Sequence, residues 1–158
     1  MTAKRVLITG TSGLIAGAAY RRLVAMPEQY DVYALSRRRQ ASERAGEAAP
    51  PDIPDDHFFL ADMADLDAVT HAFEGMDAVV HLAADPRPDA SWDHLLESNI
   101  VGARNAFEAA VRTGVKRVIY ASSIMVSWGY QLDDPYKALS SGRFEDLARK
   151  EVHTVTHE

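Results

Sequence analysis

Short apolar runs recur along the chain, and longer stretches of mixed apolar and polar positions separate them. The runs are rich in valine, isoleucine, leucine, phenylalanine and tyrosine, a composition typical of parallel strands that are buried on both faces. The pattern predicts five β-strands, over residues 5–9, 31–36, 57–60, 78–82 and 117–121.

Apolar residues between these runs recur with helical spacing and predict three helices, over residues 13–25, 65–74 and 91–112. The longest helix carries one apolar stripe, which faces either the core or an interface and consists of Trp92, Leu95, Leu96, Ile100, Ala103, Ala106, Phe107 and Ala110. Because strands and helices alternate, we expect an α/β fold in three layers, with a doubly wound parallel sheet between helices.

Two stretches lack a strand pattern. Residues 37–56 are rich in charge and proline, and we expect a short helix in their first half and a loop in their second. Residues 143–151 are predicted to form another short helix, and no terminal strand follows. The sheet is therefore expected to be incomplete on its C-terminal side, as if the chain were cut short.

Composition narrows the class of protein. A chain of 158 residues with 47% hydrophobic and 25% charged residues fits one domain over 1–158. The net charge of −6 argues against a nucleic-acid partner. There is no cysteine, and no apolar run reaches the roughly 18 residues of a membrane helix. We expect a cytoplasmic protein without a membrane partner.

The loop after the first predicted strand is the strongest functional signal. Gly10 permits a tight turn, and Gly13 removes a side chain where the backbone would approach a pyrophosphate. A small residue, Ala16, lets helix and strand pack closely, and free N–H groups at the helix start favour an anion. The pattern indicates a dinucleotide site, and the alternative is an ordinary strand-to-helix turn without a ligand.

Five segments together resemble the extended short-chain dehydrogenase/reductase family, also called the NAD(P)-dependent epimerase/dehydratase family. They are Thr9-Gly10-x-x-Gly13, Leu60-Ala61-Asp62-Met63, His81-Leu82-Ala83-Ala84, Asn99 in the longest helix, and Tyr120-Ala121-Ser122-Ser123. The stretch over 84–102 is most similar to the uronate-dehydrogenase and sugar-epimerase branch. The resemblance implies a Rossmann-type fold and hydride transfer between a nicotinamide dinucleotide and a sugar, sugar acid or sugar nucleotide.

The resemblance implies a set of cofactor-binding residues, which are Gly10, Ser12, Gly13, Leu14, Ile15, Ser36, Arg37, Arg38, Asp62, Met63, Leu82, Ala83, Ala84, Asn99, Ala121 and Ser122. Asp62 would accept a hydrogen bond from the adenine amino group, and the small alanines would let the cofactor lie against the strand end. Asn99 would support the site through contacts with backbone or water. The alternatives are a helix-start carboxylate for Asp62, close packing for the alanines, and a solvated or capping side chain for Asn99. His81 is expected to be a core or strand-end histidine rather than a catalyst.

Ser123 is the predicted catalytic residue, because a serine at this position in the family bonds the substrate oxygen. The alternative is a turn serine. The family also uses a Tyr-x-x-x-Lys pair, and no tyrosine in this chain has a lysine four residues later. Ile124 and Met125 stand where uronate-acting relatives often have Asn-His, so the substrate stays open. The alternative function is a catalytically silent NADP(H)-binding sensor or regulatory module.

The residues after the second strand bear on cofactor choice. NAD enzymes usually carry an acid there, whereas this chain has Ser36, Arg37, Arg38 and Arg39. Serine and arginine can bind a 2′-phosphate through charge-assisted hydrogen bonds. The predicted cofactor is NADP, with NAD as the alternative, and a solvated basic loop is the other interpretation.

The resemblance also implies a sugar-type small-molecule substrate and a homodimer as a candidate assembly.

Overall fold

The computed structural model describes residues 2–42, 51–123 and 136–148. The chain divides into two compact units, Met1–Ala121 and Ser122–Glu158.

Five strands form one sheet in the first unit, as the apolar runs predict. They are β1 (Lys4–Thr9), β2 (Tyr30–Ser36), β3 (Phe58–Leu60), β4 (Ala78–His81) and β5 (Arg117–Tyr120). Their order is β3-β2-β1-β4-β5, and every neighbouring pair is parallel. In the central strand, Leu7 is in register with Tyr33 on one side and with Val79 on the other. The predicted α/β class and parallel sheet are confirmed.

Consecutive residues of β1 point to opposite faces of the sheet. Leu7 belongs to a core cluster with Phe73 and Ala106, and Ile8 belongs to a second cluster with Tyr20. Leu7 and Ile8 are both fully buried. Burying a side chain of this size contributes about 1.5–3 kcal/mol. The strand is therefore apolar at consecutive positions, and the sheet is the middle of three layers.

Helices connect the strands. They are α1 (Leu14–Val24), α2 (Leu66–Phe73), α3 (Trp92–Leu95) and α4 (Gly102–Thr113), and a π-helical segment, Leu96–Val101, joins α3 to α4. A short 3-10 turn, Asp55–His57, precedes β3. The start of α2 is fixed by Asp65, whose carboxylate accepts the N–H groups of Asp67 and Ala68.

Only part of the apolar stripe predicted along the longest helix faces the core. Ala106 is fully buried, whereas Ile100 is 50% exposed and Phe107 is 47% exposed. The π-helical segment has more residues per turn than an α-helix, so it rotates the residues before it relative to those after it. The exposed apolar side chains of this region are Trp92, Leu96, Ile100, Phe107 and Val111. The homodimer stays a prediction.

The second unit contains two short helices, α5 (Lys137–Ser140) and α6 (Phe144–Ala148). The helix predicted over 143–151 is confirmed in part, because residues 149–151 lie outside the described residues. The other short helix is predicted in the first half of residues 37–56. Residues 37–42 are not helical, and the rest of that half lies outside the described residues. No helix in the described part of the chain has the length and apolarity needed to cross a membrane.

Candidate functional site

The carboxyl ends of the parallel strands share one edge of the sheet. β1 and β4 are neighbours, but α1 packs into one core cluster and α4 packs into the other. The loops after β1 and β4 therefore lead to opposite faces and leave a crevice at this edge, which is where open α/β sheets bind ligands. The predicted residues of these two loops are Gly10, Ser12, Gly13, Leu14, Ile15, Leu82, Ala83 and Ala84.

Gly10 brings the loops after β1 and β4 together. Its φ is +80°, and a Cβ placed on it would lie only 2.8 Å from the Cα of Ala83. Its N–H donates to the carbonyl of Leu35 in β2 at 2.7 Å. The glycine is needed both for its backbone conformation and for this close approach. The predicted tight turn is confirmed.

Gly13 precedes the first turn of α1 and provides no side-chain cap. The first turn also contains no acidic residue. The positive end of the helix dipole is therefore not offset by a local carboxylate. The side chains of Leu14 and Ile15 are 53% and 70% exposed. An uncapped start with an apolar rim suits an anionic ligand that also presents flat apolar surface.

Thr9 fixes the start of the loop after β4. Its Oγ1 accepts the N–H groups of Leu82 and Ala83, both at 3.1 Å, and lies 2.8 Å from Nδ1 of His81. Because both acceptor positions of the hydroxyl are occupied, its hydrogen points to Nδ1, and the His81 proton resides on Nε2. Sequence reasoning misses this role, since threonine is common in strands.

His81 is a buried, neutral side chain. It is 2% exposed, and its ring stacks on that of Tyr120 with centroids 5.6 Å apart. Burial lowers the pKa of His81 to about 4, so the ring is uncharged at pH 7. The interpretation of His81 as a core or strand-end histidine is confirmed.

Ser36, at the end of β2, and Arg37, directly after it, differ in burial. Ser36 is 3% exposed, and its Oγ lies 3.1 Å from Thr11 Oγ1 and accepts the Ser12 N–H at 3.3 Å. This hydroxyl supports the glycine loop from inside, so its position gives no support to a direct contact with a ribose phosphate. Arg37 is exposed, and its Nη1 lies 3.7 Å from Oδ2 of Asp62. Arg37 and Asp62 therefore face each other at the ends of β2 and β3.

The other two arginines of this loop differ from each other as well. Arg38 is exposed. Arg39 donates to the carbonyl of Ile53 at 3.0 Å and to the carboxylate of Asp55 at 2.7 Å, and its guanidinium lies 4.2 Å from the ring centre of Phe58. Arg39 thus ties the loop after β2 to the segment before β3.

The loop after β3 carries Asp62 and Met63. The Asp62 side chain is 49% exposed, and its Oδ1 accepts the N–H of Ala64 at 3.0 Å. The cap of α2 is Asp65, so Asp62 does not serve as the helix cap. Met63 is 5% exposed, and its side chain belongs to the core. Asp62 is therefore an exposed carboxylate that does not cap the helix.

Asn99 secures the loop after β4 to the π-helical segment. Its Oδ1 accepts the N–H of Asp85 at 2.7 Å, and its Nδ2 donates to the Asp85 carbonyl at 3.0 Å. The alternative of a solvated or capping side chain is wrong, because both ends of the amide bind the loop backbone.

The Asp85 carboxylate is the centre of a charged cluster that sequence reasoning does not find. Its side chain is 5% exposed, Arg87 Nη2 donates to it at 2.6 Å, and His94 Nε2 lies 2.7 Å away without the alignment of a hydrogen bond. The hydrogen bonds from Arg87 hold the pKa of Asp85 well below its usual range. The cluster brings the loop after β4 against His94 of α3.

The predicted residues after β5 lie at the boundary between the two units. The N–H of Ala121 donates to the carbonyl of His81 at 3.1 Å, which extends the pairing of β4 and β5. Ser122 and Ser123 follow it in the chain and belong to the second unit. Their roles stay predictions, and Ile124 and Met125 lie outside the described residues.

A family model described as the NAD dependent epimerase/dehydratase family matches residues 6–138. This range contains almost all of the sheet and every predicted site residue.

Two relatives come from Haloferax volcanii. A NAD-dependent glucose-6-phosphate dehydrogenase is 36% identical over 129 residues, which are 82% of this chain and 47% of that protein. An L-arabinose 1-dehydrogenase (NAD(P)(+)) is 36% identical over 130 residues, which are 82% of this chain and 45% of that protein. The chain therefore spans less than half the length of these relatives.

Among solved structures, a mutant of uronate dehydrogenase from Agrobacterium tumefaciens, complexed with NAD, superimposes with a TM-score of 0.61. It is 28% identical, and the match covers 77% of this chain and 41% of that chain. This likeness confirms the Rossmann-type fold that the sequence predicts.

Proposed function

Because the chain belongs to the NAD-dependent epimerase/dehydratase family, we propose that its first compact unit binds a nicotinamide dinucleotide along the carboxyl edge of the sheet. The observation that carries this proposal is the uncapped start of α1, placed beside the close approach of Gly10 and Ala83. An anion there meets the positive end of the helix dipole, which no acidic side chain of the first turn offsets. The pyrophosphate is the group of a dinucleotide that suits this position.

The other predicted residues are assigned along the same edge. Asp62 accepts a hydrogen bond from the adenine amino group, and the small side chains of Ala83 and Ala84 leave a flat surface at the end of β4. Leu14 and Ile15 flank the pyrophosphate with exposed apolar side chains. The glycine loop, Leu82 and Ala121 contribute through backbone and close packing.

We further propose that the ribose end accepts a 2′-phosphate, so that NADP is the cofactor and NAD the alternative. Arg37 and Arg38 are exposed after β2, and no acid stands among residues 36–39 to repel a phosphate. A guanidinium binds phosphate through charge-assisted hydrogen bonds. Because the Ser36 hydroxyl is engaged with Thr11 and Ser12, the two arginines carry this contact.

For the whole protein we propose an oxidoreductase or epimerase that acts on a sugar, sugar acid or sugar nucleotide. The names of the matched proteins, which concern glucose 6-phosphate, L-arabinose and uronate, support a sugar-type substrate. A bound nicotinamide exchanges hydride with a carbon that bears hydroxyl or carbonyl oxygen. Ser123 is the candidate to hydrogen-bond that oxygen.

Dinucleotide binding without turnover is the second candidate. The 158 residues contain no Tyr-x-x-x-Lys, the pair that moves the proton in the family, so this candidate concerns the chain as given and not a longer protein. Both candidates require the same cofactor site, so binding is the first property to test.

The test is titration of the chain with NADPH and NADH, followed by nicotinamide fluorescence. Ile15→Glu places a carboxylate in the first turn of α1, where it repels a pyrophosphate but suits the helix dipole. The matched control is Val111→Glu, at an 81% exposed position near the carboxyl end of α4.

We expect Ile15→Glu to raise the Kd of both dinucleotides by about tenfold or more, as one like charge near a pyrophosphate would do. Val111→Glu should leave both Kd values within about twofold, a change too small to reflect a contact with the ligand. Equal effects of the two substitutions, or no binding by the unsubstituted chain, would contradict the proposed site.

A further inference from the structure

Asn105 is a buried polar side chain that the dinucleotide site does not explain by itself. It lies in α4 and is 2% exposed. Its Nδ2 donates to the carbonyl of Met63 at 3.0 Å and to the carbonyl of Ala64 at 2.9 Å. Both amide hydrogens are therefore spent on two consecutive carbonyls of the loop after β3. A buried amide used in this way orders the backbone that it binds.

The bond to Met63 reaches Asp62 through a single peptide group. The carbonyl of Met63 and the N–H of Ala64 belong to the same planar unit, so fixing one fixes the direction of the other. That N–H donates to Oδ1 of Asp62 at 3.0 Å. A peptide whose carbonyl accepts a hydrogen bond is also polarised into a better donor. Asn105 thus sets both the direction and the strength of the bond that orients the Asp62 carboxylate.

Gly102 allows α4 to come close enough for these contacts. A Cβ placed on Gly102 would lie 3.0 Å from the Cβ of Met63. An alanine there would require Met63 to shift by a few tenths of an ångström, which disturbs the hydrogen bonds that its loop accepts from Asn105. The glycine and the asparagine, one turn apart, therefore act on the same loop.

We propose that Asn105 is a positioning residue for base recognition: it orients Asp62, through the Met63–Ala64 peptide, to accept from the 6-amino group of adenine. The inference rests on the proposed function. It adds that selectivity for a 6-amino purine over a 6-oxo purine depends on a residue of α4 that does not touch the base.

The test compares NAD with nicotinamide hypoxanthine dinucleotide, which carries oxygen in place of the 6-amino group. Kd values for both are measured by calorimetry with the unsubstituted chain and with Asn105→Leu. Asn99→Leu is the matched control, because it removes the other amide of the same helical region, which binds the loop after β4. Gly102→Ala is a second, independent way to displace the loop after β3. Thermal unfolding establishes that each variant is folded.

We expect the unsubstituted chain to prefer NAD by about tenfold, the worth of one hydrogen bond to a charged group. In Asn105→Leu and in Gly102→Ala the preference should fall to within about twofold. In Asn99→Leu the preference should persist, whatever happens to the individual Kd values.

A folded Asn105→Leu that retains the full preference would overturn the inference. If Asn105→Leu does not fold, Gly102→Ala decides in the same way. Equal binding of the two dinucleotides by the unsubstituted chain would refute the role of Asp62 and the inference with it. Binding of neither would instead contradict the proposed function.

Discussion

Two neighbouring residues at the end of β2, Ser36 and Arg37, take opposite positions. The Ser36 hydroxyl is buried against Thr11 and Ser12, whereas Arg37 is exposed beside Asp62. A half-exposed ion pair at 3.7 Å contributes little to stability. Arg37 is therefore better placed to bind a ligand phosphate than to hold the fold together.

Replacing Arg37 tests this directly. Arg37→Asp should raise the Kd of NADPH by about tenfold or more, because a charge-assisted contact becomes a repulsive one. The Kd of NADH, which lacks the 2′-phosphate, should change by less than about threefold, since no ionic contact is lost. Fluorescence titration measures both, with Arg104→Asp on α4 as the control. An equal loss for both dinucleotides, or none, would remove the 2′-phosphate assignment.

For single residues, the sequence predicts the conformation of a glycine turn better than it predicts which groups a polar side chain will hydrogen-bond. Gly10 is predictable because the tight turn has few other solutions. Thr9 and Asn105 are not, since their functions come from loops distant in sequence that the fold brings to them. The sequence carries one sign of the role of Asn105: it is an amide on a helix whose other buried residues are glycine and alanine.

At the scale of elements, the amino ends of β2 and β3 are joined by a histidine. His57 Nδ1 lies 2.8 Å from Asp56 Oδ1, its Nε2 lies 2.9 Å from Asp31 Oδ1, and its ring stacks on Tyr33 at 4.4 Å. The carboxylate of Asp56, followed by that of Asp31, raises the pKa of His57 above its ordinary 6.5. The protonated ring can donate to both carboxylates at once.

This junction makes stability depend on pH with a definite sign. A raised native pKa means that the contribution of His57 is fully present below its unfolded pKa and is lost as pH rises through the native pKa. The difference in free energy of unfolding between the chain and His57→Gln should therefore be largest near pH 6 and smaller near pH 9. Urea unfolding at both values measures it, with the exposed His71→Gln as control. A difference that grows with pH would show that protonated His57 does not stabilise the fold.

Among the longer elements, the strands and α2 are predictable because local pattern and burial agree. The helix predicted over 91–112 is also confirmed, since α3, the π-helical segment and α4 run from Trp92 to Thr113. The π-helical turn within it is not predictable, because it changes which residues share a face and leaves no mark in the apolar spacing. That same segment presents Asn99 to the backbone of Asp85. The π-helical segment, which the apolar spacing does not reveal, therefore also positions the loop after β4.

At the scale of the whole molecule, alternation of apolar strands with helices is sufficient to predict a parallel sheet. Its order, β3-β2-β1-β4-β5, places the crevice between the loops of β1 and β4. The glycine loop and the small residues after β4 converge there, although more than seventy positions separate Thr9 from Leu82 in the chain. The edge proposed to bind the dinucleotide therefore follows from the order of the strands.

Binding of a dinucleotide along this edge can be followed residue by residue by nuclear magnetic resonance. Backbone amide shifts of the isotope-labelled chain would be followed during titration with NADP⁺ and NAD⁺. We expect shifts confined to residues 10–15, 37–38, 61–64, 82–84 and 121, with the amides at the start of α1 moving most. Shifts centred on the exposed side of α4, or none at millimolar dinucleotide, would contradict binding along this edge.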